Sequence, residues 1–193
     1  VPLSVSATTV STLLAPILTP LFVVLYAGAT SSIEIQFMPM FISIVKIVLV
    51  PIILGIVLNY FIGAKIEPVK SVCPTIAAIA VLLILAAVTA VNQKQIAETG
   101  FIIFVACLVQ NLSGYVVTYF ICKALSIDVS SRRAMQIEVA MQNSALSVSL
   151  ALKHFTPQAA VAGAVFSIIH NFTGSIFAGI CRKHDDQDKL ENA

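Results

Sequence analysis

The chain has 193 residues, 59% of them hydrophobic and only 10% charged, with a net charge of +2. A soluble domain carries about 25% charged residues, so a water-solvated globule is excluded, and the near-neutral balance implies no nucleic acid or other polyanionic partner. Cys73, Cys107, Cys122 and Cys181 stand singly in apolar runs, without a Cys-x-x-Cys pair or a Cys/His cluster, so neither a disulfide nor a metal nor any other cofactor is implied.

The solvent for such a chain is lipid. A helix crossing the hydrocarbon core needs about 20 mostly apolar residues. Residues 1–27, 38–63, 72–92, 99–125, 132–154 and 158–181 each supply such a run, with short connections. The predicted fold is therefore all-α, a polytopic transmembrane helical bundle with six spans. The chain opens at Val1 with residues that read as the inside of a helix and no signal-peptide pattern. The expectation is that N-terminal helices of the same protein are missing. Pro16, Pro20 and Pro51 lie inside apolar runs and predict kinks. Thr156-Pro157 reads as a helix N-cap followed by proline at the first helical position. Residues 184–193, HDDQDKLENA, read as a solvated tail.

If the runs cross alternately, Lys65, Lys70, Lys123, Arg132, Arg133, Arg182, Lys183 and Lys189 share one side, while Lys94 and Lys153 share the other. Lys46 can snorkel outward. The positive-inside rule makes the first side cytoplasmic, with the C-terminus there, in the inner (plasma) membrane of the cell.

Polar residues divide the runs. The second and third are almost pure hydrocarbon, broken only by Lys46, Asn59, Thr75 and Thr89. The first carries Ser4, Thr8 and Ser11 on one helical face; the fourth carries Gln110, Asn111 and Ser113; the sixth carries Ser167, His170, Asn171, Thr173 and Ser175. The fifth is richest, with Gln136, Glu138, Gln142, Asn143, Ser144, Ser147 and Ser149. Polar groups in hydrocarbon need one another or water, so four striped helices should surround a shared site while two bare ones face lipid. His170 reads as a satisfied core histidine. The glycosylation-type triplets at Asn111 and Asn171 lie inside spans and carry no such role.

Glu138 is the one carboxylate deep in any run. A charge at mid-membrane costs about 2.5–3.5 kcal/mol on insertion scales, and the neighbours Gln142, Asn143 and Ser144 offer oxygens rather than positive charge. That suits a hard monovalent cation. A protonated Glu138 and a pairing with Arg132 or Arg133 are the alternatives.

Two stretches, LSVSATTVSTLLAPILTP at 3–20 and IEVAMQNSALSVSLA at 137–151, resemble the bile acid:sodium symporter family, with further matches in SIVKIVLVPIILG at 43–55, NLSGY at 111–115 and IIHNFTGS at 168–175. The resemblance implies a ten-span inverted-repeat transporter with discontinuous helices. Residues 1–27 would be its fifth helix, in the core domain. Residues 38–92 would be two panel-domain helices. Residues 99–183 would be three core-domain helices including the broken one, followed by the cytoplasmic tail 184–193. It further implies sodium as the coupling ion. Ser4, Thr8 and Glu138 would form one sodium site; Glu138, Gln142 and the carbonyls of Val139 and Met141 would form the other. Asn143 and Asn171 would face the substrate, an organic anion such as a bile acid or a smaller carboxylate. The expected function is sodium-coupled symport by alternating access and not enzyme catalysis. The alternative is a proton-coupled or uniport carrier with Glu138 as the proton site. An intramembrane enzyme and a non-transporting subunit fit less well, because no nucleophile–base or metal constellation exists and the polar residues gather around one carboxylate. Many relatives carry Gly where Ala140 stands, and no Gly or Pro marks a break here.

Overall fold

Backbone in hydrocarbon must satisfy its own polar groups, and helix is the local way to do so. The computed structural model describes residues 2–30, 35–63 and 67–191, and among these only helices, turns and short connections occur. In chain order they are α1 (Pro2–Thr30), α2 (Phe37–Ile44), a π-helical turn (Val45–Leu49), α3 (Val50–Ile62), α4 (Glu67–Val91), α5 (Gln93–Ala124), α6 (Val129–Ala140), α7 (Ser144–His154) and α8 (Ala159–Glu191).

Among the described residues, five stretches are long and apolar enough to cross a membrane: Pro2–Ala27, Phe37–Ile62, Ser71–Val91, Ile96–Ala124 and Ala159–His184. The expected run 132–154 is instead two short helices, α6 and α7, separated by Met141–Asn143. Pro16 and Pro20 sit within α1, which continues through both. Pro51 falls at the start of α3, just after the π turn, where the Val50 N–H reaches back to the Val45 carbonyl. The wide turn takes up the irregularity that a proline imposes on the hydrogen-bond ladder. Thr156-Pro157 does not begin α8: both precede its start at Ala159, Pro157 lies in a turn, and Thr156 Oγ1 accepts from the Ala159 N–H at 3.4 Å. Residues 184–191, expected as a tail, continue α8 as helix. Val1, Lys65 and residues 192–193 lie outside the described residues.

The turn between α5 and α6 closes with Ser126 in the left-handed region at φ 55°. Around it the Ile127 N–H bonds the Cys122 carbonyl at 2.9 Å. Asp128 then caps α6, its carboxylate accepting the Ser131 N–H at 2.9 Å.

Packing centres on α7. Val148 and Ala151 meet Ala160, Val161 and Ala164 of α8 and Val88 of α4. On its other face Leu150 meets Met40 and Ile44 of α2, with Ala15 and Val23 of α1 alongside. His154 at the end of α7 bonds Ser43 of α2 across 2.9 Å. Cys107 of α5 packs on Phe166 and Ile169 of α8. By contrast, every residue of α3 is exposed, with Tyr60 at 83%. In water such a surface would aggregate; in a bilayer it faces hydrocarbon. All four cysteines are free.

Candidate functional site

The hydroxyls of α1 behave in two ways. Those of Ser6, Thr9 and Ser11 fold back on carbonyls of their own helix, at 3.0, 2.7 and 3.0 Å. Ser4 and Thr8, one turn apart, reach across to α6, although Thr8 Oγ1 also lies 2.9 Å from the Ser4 carbonyl of its own helix. Ser4 Oγ donates to Glu138 Oε2 at 2.8 Å, and Thr8 Oγ1 lies in hydrogen-bond contact with Glu138 Oε1. Both carboxylate oxygens therefore meet hydroxyls of α1. Arg132 lies over the Tyr119 ring, 5.0 Å from its centroid, rather than against Glu138.

Just beyond Glu138 the helix comes apart. Met141 is extended, at φ −89° and ψ 103°, while its N–H still bonds the Ile137 carbonyl at 2.8 Å. The Ser144 N–H turns to the Gln142 carbonyl at 2.9 Å instead of continuing the α6 ladder. The last α6 carbonyls are answered by side chains. Gln142 Nε2 donates to the Val139 carbonyl at 2.6 Å, and Asn111 Nδ2 donates from α5 to the Ala140 carbonyl at 2.9 Å. Helix then restarts with Asn143 as its cap, Oδ1 accepting the Leu146 N–H at 3.1 Å. The negative end of one helix and the positive end of the next thus meet at Met141–Asn143.

Asn143 also lines a cavity of about 320 Å³ with Ile47, Val48, Pro51, Ile52, Ala145, Leu146 and Ser149. This apolar recess between the π turn and α7 carries an amide and a hydroxyl at its polar edge.

Of the residues singled out in the sequence, Ser4, Thr8 and Glu138 are brought together, Val139 lies in the last turn of α6, and Met141 and Gln142 fall in the break beside them. Asn143 stands at the cavity. Asn171 does not line it, and its Nδ2 bonds the Ser167 carbonyl one turn back at 2.7 Å. His170 is buried as expected but is not satisfied: its Nδ1 has no hydrogen-bond partner among the described residues, and the ring packs on Phe166 at 5.6 Å instead. Sequence reading noted Asn111 and Thr173 as polar positions and gave neither a role. Yet Asn111 is 1% exposed and bonds the broken helix, and Thr173 bonds Asn111. The signals were their depth in an apolar run and their place in the family-like stretches NLSGY and IIHNFTGS.

The description Sodium Bile acid symporter family belongs to a family model that matches residues 1–99. Three relatives extend the similarity along the chain. A Bacillus subtilis (strain 168) protein named "Uncharacterized sodium-dependent transporter YocS" is 38% identical over 181 residues, covering 91% of this chain and 54% of that protein. "Probable sodium/metabolite cotransporter BASS1, chloroplastic" of Oryza sativa subsp. japonica is 37% identical over 190 residues, covering 98% of this chain and 46% of its own. The Arabidopsis thaliana protein of the same name is 36% identical over 184 residues, covering 95% and 45%. The chain thus spans about half the length of the curated relatives it matches. These are names of transporters, not enzymes, and they agree with an integral, multi-pass membrane architecture built on the apolar helices above. The chain belongs to the sodium bile acid symporter family.

Proposed function

We propose that this chain forms part of a sodium-coupled symporter for an organic anion, with its ion sites at the junction of α1 with the α6–α7 break. One observation carries the reading: the single deep carboxylate, Glu138, has both oxygens against hydroxyls of α1, immediately before an interrupted helix.

The chemistry follows from what hydroxyls and amides can do. Ser4 and Thr8 can donate to Glu138 or turn their lone pairs to a cation, since a hydroxyl does both. Sodium between Ser4, Thr8 and Glu138 would replace two hydrogen bonds by ion contacts and neutralise the carboxylate. At the second site, rotation of the Gln142 amide would aim its oxygen, beside the Val139 and Met141 carbonyls and Glu138, at an ion. Interrupted helices hold coupling ions in this way. The N-terminal end of α7 and the Asn143 amide at the 320 Å³ cavity would then favour the anion, with Asn171 joining after its amide leaves Ser167. The cargo is a bile acid-like or smaller carboxylate. The relatives are named for sodium-dependent transport and sodium/metabolite cotransport, which agrees with this coupling.

Alternating access would move α2–α4, as a panel, against the polar bundle of α1 and α5–α8. The inward sodium gradient would drive uptake across the plasma membrane, with the C-terminus cytoplasmic.

The test is thermal melting of the intact protein in detergent, in sodium and in potassium at equal ionic strength, for wild type and Glu138→Gln. Sodium at about 100 times its Kd adds about 2.7 kcal/mol of stability. A rise in melting temperature specific to sodium and lost in the variant is expected. Equal melting in both salts would overturn the reading, and a Glu138-dependent titration near neutral pH would then favour proton coupling.

A further inference from the structure

We propose that Asn111 and Thr173 are positioning residues: a two-helix clamp, built from α5 and α8, that holds the α6–α7 helix open and so sets the geometry of the ion site. The inference rests on the sodium reading above only for its consequence, not for the clamp.

An unbroken helix would give the Ala140 carbonyl to the Ser144 N–H. Here Ser144 turns to the Gln142 carbonyl, and Ala140 would be left with an unanswered carbonyl away from water. Asn111 supplies the donor, Nδ2 at 2.9 Å. Its amide is fixed from the other side, where Thr173 Oγ1 lies 2.7 Å from Asn111 Oδ1. Flipping the amide would set its oxygen against the Ala140 carbonyl oxygen, so one orientation satisfies both neighbours. Thr173 has one hydroxyl proton and a second acceptor within reach, the Ile169 carbonyl at 3.0 Å. Asn111 is among the most completely buried side chains described, at 1% exposure. Water is thereby kept from the amide, and a hydrogen bond in such surroundings is strong when made and expensive when lost.

Neither residue contacts Glu138, Ser4 or Thr8 in the bonds described. Their effect on ions is indirect. Without the clamp the donor that a continuous helix offers the Ala140 carbonyl is the Ser144 N–H, and taking it would draw residues 141–144 toward continuous helix. The Val139 and Met141 carbonyls would then turn into the helix ladder and away from a cation.

The experiment compares wild type, Asn111→Leu, Thr173→Val and Thr173→Ser in the intact protein, with Gly114→Ala as a control. A Cβ at Gly114 would meet Ala140 Cα at 3.6 Å, ordinary contact, so that variant touches the same break without altering its hydrogen bonds. Sodium Kd is read from melting temperature against sodium concentration, and amide exchange of residues 141–146 is read in potassium. Thr173→Val should weaken sodium about fivefold, the change a neutral hydrogen bond carries, and Asn111→Leu should weaken it more. Thr173→Ser and Gly114→Ala should match wild type. Exchange at Ser144 should slow in Asn111→Leu and Thr173→Val.

A purely structural lesion would lower melting in both salts and leave sodium Kd unchanged, which overturns the proposal. Unchanged exchange at Ser144 also overturns it, and Thr173→Val makes that readable if Asn111→Leu does not fold. A wild type indifferent to sodium would sink the transport reading, while the exchange comparison would still decide the clamp.

Discussion

Helix α3 and the α6–α7 pair answer the same solvent in opposite ways. Every side chain of α3 is exposed, and its backbone is satisfied within the helix, so hydrocarbon can surround it. The α6–α7 pair leaves its ladder at Met141–Asn143 and recovers the lost bonds from Asn111, from Gln142 and from the Asn143 cap. An apolar helix in lipid needs no particular neighbour; an interrupted one needs several in place. Substitutions in α3 should therefore be read by helix propensity and lipid contact. Substitutions around the break should be read by packing and hydrogen bonding.

The largest expected difference lies between two glycines. A Cβ on Gly163 would sit 2.9 Å from Val148 Cγ2, 3.1 Å from Ser147 Oγ and 3.3 Å from the Val148 backbone nitrogen. Gly163→Val should therefore push α8 from α7 and lower stability by about 1–3 kcal/mol, seen as a lower melting temperature in sodium and potassium alike. In α3, a Cβ on Gly55 meets nothing within 4 Å. Gly55→Ala should raise stability by up to about 1 kcal/mol through helix propensity alone. If both substitutions shift melting in the same direction, the contrast between the two regions fails.

A smaller effect sharpens the same point on α4. Leu83 is 66% exposed, so Leu83→Ala removes lipid contact but leaves no cavity. Melting in detergent should change by no more than about 0.5 kcal/mol equivalent, as for surface positions. A loss several times larger would mean that α4 is packed against something at that face.

These regions also differed in how much the sequence revealed. The apolar helices were visible as runs of hydrocarbon because length and composition alone define a span. Their details were less so: α4 starts at Glu67 and α8 runs to Glu191, since helix need not stop where hydropathy does. The wide turn at Val45–Leu49 was foreseeable only as a disturbance near Pro51. The break was barely legible in local residues. Neither Gly nor Pro marks it, and the bond that answers its last carbonyl comes from Asn111, on another helix. The family resemblance supplied the expectation of a discontinuous helix. One local signal did exist, an asparagine followed by serine at a helix start, and Asn143 does cap α7. Likewise Ser4 and Thr8 looked like any hydroxyl stripe, and only the fold, by bringing Glu138 within their reach, separates them from Ser6, Thr9 and Ser11.

The smallest expected effect compares the two carboxylates that bracket α6. Glu138 sits near its end within the apolar run, against two hydroxyls. Asp128 precedes its start, fully exposed, and accepts the Ser131 N–H. That N–H first, and then the Ser131 hydroxyl, hold the Asp128 carboxyl below its ordinary range. A depressed folded-state pKa stabilises the cap above the unfolded value of about 3.9, and the contribution disappears as pH falls through the lower folded value. Exchange of the Ser131 amide, corrected for its intrinsic rate, should therefore accelerate as pH is taken below that range in wild type. Asp128→Asn keeps a capping oxygen and loses the charge, so its exchange should show no such step. Because Asp128 is in water, neither the substitution nor the acid step should alter sodium dependence. If either does, the exposed start of α6 is coupled to its end at the break, and the helix transmits what happens at one carboxylate to the other.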